Sequence, residues 1–168
     1  MKYGDVEVTR EGHVAVVEIQ RAPNNFFDTQ LINSLGDAFD ALDADNECRA
    51  SVLCAQGKHF CAGANFGDRT QQSERDNRTA TTGNPLYSAA VRLFGTKKPI
   101  VGAINGSAVG GGFGLSLLPD FRVASPETRF TANFVKLGFH PGFGLTYTLP
   151  RLIGQQRANL MFYTGRRV

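Results

Sequence analysis

Asn105-Gly106-Ser107-Ala108-Val109-Gly110-Gly111-Gly112-Phe113-Gly114-Leu115 is the stretch on which the fold is read, because it joins an apolar strand-like run, residues 99–104, to a predicted helix over 111–118. Its small residues leave backbone N–H groups unshielded by side chains. A second loop of the same kind, His59-Phe60-Cys61-Ala62-Gly63-Ala64-Asn65-Phe66, follows a second apolar run, residues 50–55. Two loops that each leave a strand can aim two N–H donors at one oxygen, which is what stabilising a developing oxyanion requires. Gly111 stands where the helix is expected to begin, so free N–H groups and the helix dipole both favour negative charge there.

Outward from these loops the pattern alternates between strand and helix. Residues 6–10 and 13–20 flank Glu11-Gly12 with short apolar or alternating runs, which predicts a hairpin. Over 28–45, Leu31, Ile32, Leu35, Ala38, Phe39 and Leu42 fall on one helical stripe, with Asp28 at the N-cap position. Residues 67–85 are polar and poor in large apolar side chains, which predicts a mobile binding lid or a disordered segment. A helix is expected over 86–94, short strands over 121–124 and 129–132, and helices over 142–153 and 155–163, the first broken or kinked at Pro150. Strands recurring with intervening helices make the class α/β, with repeated strand–strand–helix units in one domain spanning 1–168.

Composition narrows the function. At 168 residues, with 42% hydrophobic and 20% charged side chains, the chain suits a globular protein with one sizeable core. A net charge of +3 is too small and too dispersed for nucleic acid, yet suits a phosphate-bearing small ligand. Cys48, Cys54 and Cys61 form an odd set without metal-ligand spacing, so they read as reduced thiols of a cytoplasmic protein, with neither disulfides nor a metal. The N-terminus lacks a secretory apolar region, and no apolar stretch approaches membrane-spanning length. Neither loop contains Gly-x-Gly-x-x-Gly, and no P-loop motif is present.

Five stretches then occur in order along nearly the whole chain: Arg21-Ala22-Pro23-Asn24-Asn25, Phe60-Cys61-Ala62-Gly63-Ala64-Asn65, Asn105-Gly106 with Gly110-Gly111-Gly112, Pro119-Asp120-Phe121-Arg122, and Leu137-Gly138-Phe139-His140-Pro141-Gly142. Together they resemble the enoyl-CoA hydratase/isomerase (crotonase) family. The resemblance implies a crotonase-like spiral of strand–strand–helix turns, followed by a C-terminal helical region that usually builds a trimer. The sequence ends at Thr164-Gly165-Arg166-Arg167-Val168, about where that region begins, so a chain truncated before it is expected, with the family trimer in question.

The same resemblance assigns a site. An acyl-CoA thioester oxygen is expected between the N–H groups of Ala64 and Gly111. Ala62 and Asn65, Phe66 and Gly67 would meet the adenine and pantetheine end, with Asn24 and Asn25 bordering the groove and Arg21 near a phosphate. Phe66, Leu86, Phe113, Phe134 and Phe139 could line the acyl pocket, although some of the 13 phenylalanines must be core. No cofactor is expected beyond the coenzyme A carried by the substrate. The two glutamates of the family's hydratases fall at Gly114 and Phe134, neither of which carries a proton. General acid–base catalysis is worth about 10²–10⁴ per group. Isomerisation, decarboxylation or thioester hydrolysis therefore stands beside hydration, and a non-catalytic acyl-CoA-binding paralogue is the alternative. The aspartate used by some superfamily isomerases and dehalogenases would fall near Gly142.

Other candidates carry two readings each. His140 is an acid/base facing the acyl pocket, or a ring that holds the turn between Gly138 and Gly142 by a hydrogen bond. Asp68 and Arg69 are lid residues pointing inward, or a solvated pair. Cys61 is a nucleophile, or a small buried residue. Asp120 reads as a turn residue that satisfies backbone donors. Tyr147 and Tyr163 read as core residues with bonded hydroxyls. Ser107 or Ser116 would serve a serine protease on a related spiral, though neither lies in a Gly-x-Ser-x-Gly elbow. His13 and His59 have no assigned role.

Overall fold

The computed structural model describes residues 1–65 and 85–168. The chain opens with β1 (Lys2–Tyr3), β2 (Val6–Glu11) and β3 (Val14–Ile19). β2 and β3 form the expected antiparallel hairpin, with Val8 opposite Val17 and Glu11 opposite Val14. Alternation places Val6, Val8, Ala15, Val17 and Ile19 in the core.

Helix α1 (Thr29–Ala44) carries the chain over to a parallel neighbour, β4 (Ala50–Ala55), as a parallel pairing demands. Its start is set by Asp28, whose carboxylate accepts the Leu31 N–H at 2.8 Å. Leu31, Ile32, Leu35, Ala38, Phe39 and Leu42 are all buried, so the stripe read from the sequence is the packed face. Next come α2 (Pro85–Leu93), β5 (Ile100–Ile104), β6 (Ser107–Val109) and α3 (Gly111–Ser116), then β7 (Phe121–Ala124) and β8 (Arg129–Thr131). A 3-10 turn (Asn133–Leu137) precedes α4 (Leu145–Ile153) and α5 (Gln155–Thr164).

Strands β1-β2-β3-β4-β5-β7 form one six-stranded sheet, parallel from β3 onward, and β6-β8 form a second, two-stranded parallel sheet. β5 and β7 each feed a short strand of the second sheet and then a helical segment. The turn after β4 joins the same layer through a single parallel bridge from Cys61 to Ala108. Successive strand–strand–helix turns therefore stack as a spiral. Asp120 locks one turn to the next: it accepts the Ile100 N–H at 2.8 Å, while its own N–H donates to the Ile100 carbonyl at 2.9 Å. That is the backbone-satisfying role expected of it.

The C-terminal part departs from expectation in three places. Helix α4 starts at Leu145 rather than 142, because Phe143 (φ 55°) and Gly144 (φ 70°) are left-handed. It continues through Pro150 and ends at Ile153, before Gly154 (φ 83°). Tyr147 and Tyr163 are not core: they are 63% and 74% exposed. The buried positions are Leu145 and Leu149 on α4 and Ala158, Met161 and Phe162 on α5, which leaves both tyrosines on outward faces. The Arg151 guanidinium lies 3.4 Å above the Tyr147 ring.

Asp28 both caps α1 and pairs with Arg21 at 2.8 Å. Asp28→Ala is expected to lower unfolding stability by about 1–2 kcal/mol, and Asp28→Asn, which keeps a capping oxygen, by less. Urea denaturation followed by far-UV circular dichroism measures both.

Candidate active site

The two glycine loops are zipped together by backbone hydrogen bonds. The Phe60 N–H donates to the Asn105 carbonyl (2.8 Å), the Cys61 N–H to the Ser107 carbonyl (3.2 Å) and the Val109 N–H to the Cys61 carbonyl (3.0 Å). Close approach is possible because Gly112 has no side chain; a Cβ there would collide with the Cys61 carbonyl. Gly63 is left-handed at φ +82°, and the position of its absent Cβ is 2.7 Å from the Val109 oxygen and 3.7 Å from the Gly111 nitrogen. The first loop thus bends directly against the start of α3.

Some nearby N–H groups are engaged: Ala62 to Asn24 O (2.9 Å), Phe27 to Gly63 O (3.0 Å) and Gly110 to Thr131 O (2.8 Å). Among the described residues the N–H groups of Ala64 and Gly111 donate to no protein acceptor. Both residues are partly exposed, although Gly63, Gly110 and Gly112 beside them are buried. Unengaged donors on loops joined by backbone hydrogen bonds are available to a ligand oxygen.

Two side chains brace this backbone, and neither role was anticipated. Asn25 is fully buried; its Oδ1 accepts the Arg21 N–H at 2.9 Å, and its Nδ2 donates to Gln56 O (2.7 Å) and His59 O (2.6 Å). His59 Nδ1 in turn accepts the Ser107 N–H at 3.2 Å, tying the root of one loop to the other. Arg21 is not free to meet a phosphate. It is held by Asp5 (2.5 Å) and Asp28 (2.8 Å) and reaches the Phe26 carbonyl (3.3 Å). Two local carboxylates outcompete the groove for its guanidinium.

The positions that the resemblance gives to the hydratase glutamates are Gly114 and Phe134. A Cβ on Gly114 would stand 2.7 Å from Phe143 Cβ and 2.9 Å from its carbonyl oxygen. Phe143 is buried against Phe27 and Phe94, with ring centroids 5.5 and 6.3 Å apart. Phe134 is half-buried, with its Cζ 3.8 Å from the absent Cβ of Gly110. Phe113 packs on Phe130 at 5.2 Å and is core, so it leaves the expected acyl-pocket set. Leu86 is half-buried and Phe139 exposed. Phe66, Gly67, Asp68, Arg69 and the expected lid up to residue 84 lie outside the described residues.

The remaining candidates are sorted by burial. His140 is exposed, and among the described residues its ring has no hydrogen-bond or ion-pair partner, so it does not hold its turn in that way. Ser116 is fully buried and donates to Phe113 O at 2.7 Å, which withdraws it as a nucleophile. Cys61 is fully buried, and desolvation pushes its thiol up to about 12, so at neutral pH it is the neutral, unreactive form. Half-burial, and secondarily Glu18, pushes Cys54 up to about 11. Among the described residues no three His, Cys, Asp or Glu side chains gather as metal ligands, and no helix is long and apolar enough to cross a membrane.

A stacked parallel spiral with paired N–H loops is the crotonase fold. The solved structure of an enoyl-CoA hydratase subunit I from Geobacillus kaustophilus has it: TM-score 0.89 and 32% identity, over 100% of this chain and 64% of that one. DspI of Pseudomonas aeruginosa superposes with a TM-score of 0.83 at 28% identity, over 98% of this chain and 63% of that one. The enoyl-CoA hydratase/isomerase family model matches residues 9–168, and the chain belongs to that family. A short-chain-enoyl-CoA hydratase of Clostridium acetobutylicum is 32% identical over 171 residues, 100% of this chain and 64% of that protein. A carnitinyl-CoA dehydratase of Salmonella enteritidis is 32% identical over 164 residues, 97% of this chain and 62% of that protein. The chain thus spans less than two thirds of the length of these curated relatives.

The Gly114–Phe143 contact predicts a specific coupling. Gly114→Ala is expected to destabilise by about 1–3 kcal/mol through overpacking. In the Phe143→Gly background, where both the ring and the Cβ that stands 2.7 Å away are gone, the added methyl group should be tolerated better, leaving a favourable coupling of about 0.5–3 kcal/mol in a double-mutant cycle. Cys61 predicts a pH effect. Its folded value of about 12 exceeds the ordinary 9, so the native state keeps a proton that the unfolded chain releases. That contribution is whole below pH 9 and falls as pH rises toward 12, at up to about 1.4 kcal/mol per pH unit. Urea titrations at pH 8.5–10.5 should show a shallower loss for Cys61→Ala than for the parent.

Proposed function

We propose that this chain binds an acyl-CoA thioester and holds its enolate or tetrahedral oxyanion between the N–H groups of Ala64 and Gly111. The observation that carries this reading is the pair of unengaged N–H groups on loops that pack closely where Gly63 faces the Val109 carbonyl. Family membership and relatives named for CoA thioesters support the substrate class. Removing one such donor from an oxyanion site typically costs about 10²–10³ in rate. Ala62, Asn65, Phe66, Gly67 and Asn24 then belong to the CoA side and Phe134 to the acyl side, with coenzyme A entering only as part of the substrate.

Glutamate-driven hydration is not part of the proposal. Glycine and phenylalanine stand at both acid positions, and Phe143 fills the space that a side chain at 114 needs. Reactions that need a stabilised enolate or oxyanion, with little proton traffic from carboxylates, fit better: isomerisation, decarboxylation or thioester hydrolysis. His140, exposed and without a partner among the described residues, is the titratable group of the turn after Gly138 that remains open to such a role. The same aromatic filling favours a second reading, an acyl-CoA-binding paralogue without turnover.

Calorimetric titration with crotonyl-CoA and acetyl-CoA, with enoyl absorbance followed on the same sample, tests the reading. Saturable binding of both with no loss of absorbance is expected. Absence of binding would remove the acyl-CoA assignment, and rapid hydration would overturn the exclusion of water addition. Turnover of a β,γ-enoyl or α-carboxyacyl thioester that drops in His140→Ala would separate the enzyme from the binder.

A further inference from the structure

The ring that stands at the second vacant acid position is not surrounded by carbon alone. Tyr87, half-exposed on α2, brings its hydroxyl to 2.8 Å from where a Cβ of Gly142 would be. That same point is 3.7 Å from Phe134 Cε1, and the adjacent ring atom, Cζ, is 3.8 Å from the absent Cβ of Gly110. One edge of the Phe134 ring therefore runs from the residue before Gly111 to the residue that the Tyr87 hydroxyl overhangs. An alanine at 142 would put its methyl group against the hydroxyl as it stands. Among the described residues the hydroxyl has no hydrogen-bond partner. A phenol is a good donor at neutral pH. Here it lies over Gly142, whose carbonyl already accepts the Leu145 N–H at 3.2 Å, and its half-exposed position leaves it open to an incoming acceptor.

The geometry points to Tyr87 as a further substrate-contacting residue, one that donates a hydrogen bond to an oxygen carried on the acyl chain while the thioester oxygen lies at Ala64 and Gly111. The substrate class is then an oxygenated acyl thioester, oxo- or hydroxy-substituted, whose carbon chain passes along the Phe134 edge before its oxygen reaches the hydroxyl. This assignment rests on the acyl-CoA reading above and adds the polar end of the pocket to it. It makes Tyr87 a determinant of which acyl group is held, with no bond made or broken at the residue.

The test compares matched ligands that differ by oxygen: acetoacetyl-CoA against butyryl-CoA, and 4-hydroxybenzoyl-CoA against benzoyl-CoA, each titrated calorimetrically into the parent protein, Tyr87→Phe and Tyr163→Phe. In at least one pair the oxygenated ligand should bind the parent and Tyr163→Phe roughly three- to tenfold more tightly, as one neutral hydrogen bond allows. Tyr87→Phe should lose that preference and keep its affinity for the plain acyl partner. A merely structural role would weaken both members of a pair alike and would overturn the assignment. So would a preference that survives in Tyr87→Phe, or no preference in either pair. If the parent binds none of the four thioesters, the acyl-CoA reading itself fails, an outcome distinct from loss of the Tyr87 contact alone.

Discussion

At the centre of the molecule, the Cys61 carbonyl accepts the Val109 N–H while the Cys61 N–H donates to the Ser107 carbonyl, at 3.0 and 3.2 Å. This one parallel bridge is the point at which two consecutive turns of the spiral meet in the second layer. Each bond contributes only about 1 kcal/mol net, but breaking one inside a buried layer strands a polar group and costs more. Gly112 packs directly on the Cys61 carbonyl, so the start of α3 is positioned by the same residue that shapes the first loop. The relative placement of Ala64 and Gly111 follows from that shared contact. A displacement of about 1 Å at such donors is enough to lose most of their effect on a reacting oxygen.

Around this backbone the chain packs aromatic volume. Phe143 occupies the space in front of Gly114, backed by Phe27 and Phe94, and Phe134 stands beside Gly110. Apolar walls lower the local dielectric and strengthen the pull of fixed N–H dipoles on negative charge. They supply no proton. Polar atoms come close to this wall at Asn133, whose Oδ1 is 3.1 Å from the absent Cβ of Gly110, and at the Tyr87 hydroxyl over Gly142.

Elements whose signals are local were legible in the linear sequence. The α1 stripe, the Asp28 cap and the hairpin about Glu11-Gly12 all depend on residues whose spacing dictates their conformation. The glycine loops were legible too, because a string of small residues after an apolar run ends a strand and leaves its backbone bare. What escaped was the direction in which long side chains point. Arg21 lies 16 residues from Asp5 and 7 from Asp28, and folding brings both carboxylates to it. Tyr147 and Tyr163 share helical spacing with core residues but fall on the outward faces of α4 and α5. Phe143 adopts a left-handed φ of 55°, a conformation that nothing in its neighbours' propensities announces.

The amino-acid sequence by itself determined the α/β class, the order of strands and helices, the two small-residue loops and the absence of carboxylates at 114 and 134. These follow from period, capping and side-chain size, which act over a few residues. Only the tertiary structure decided that Gly63 packs on the Val109 carbonyl, that Phe143 fills the space before Gly114, that His59 braces Ser107 and that Tyr87 overhangs Gly142. Each of these is a meeting of residues far apart in the chain. Their distance is set by how the turns of the spiral stack, a collective result of packing that no local window of sequence contains.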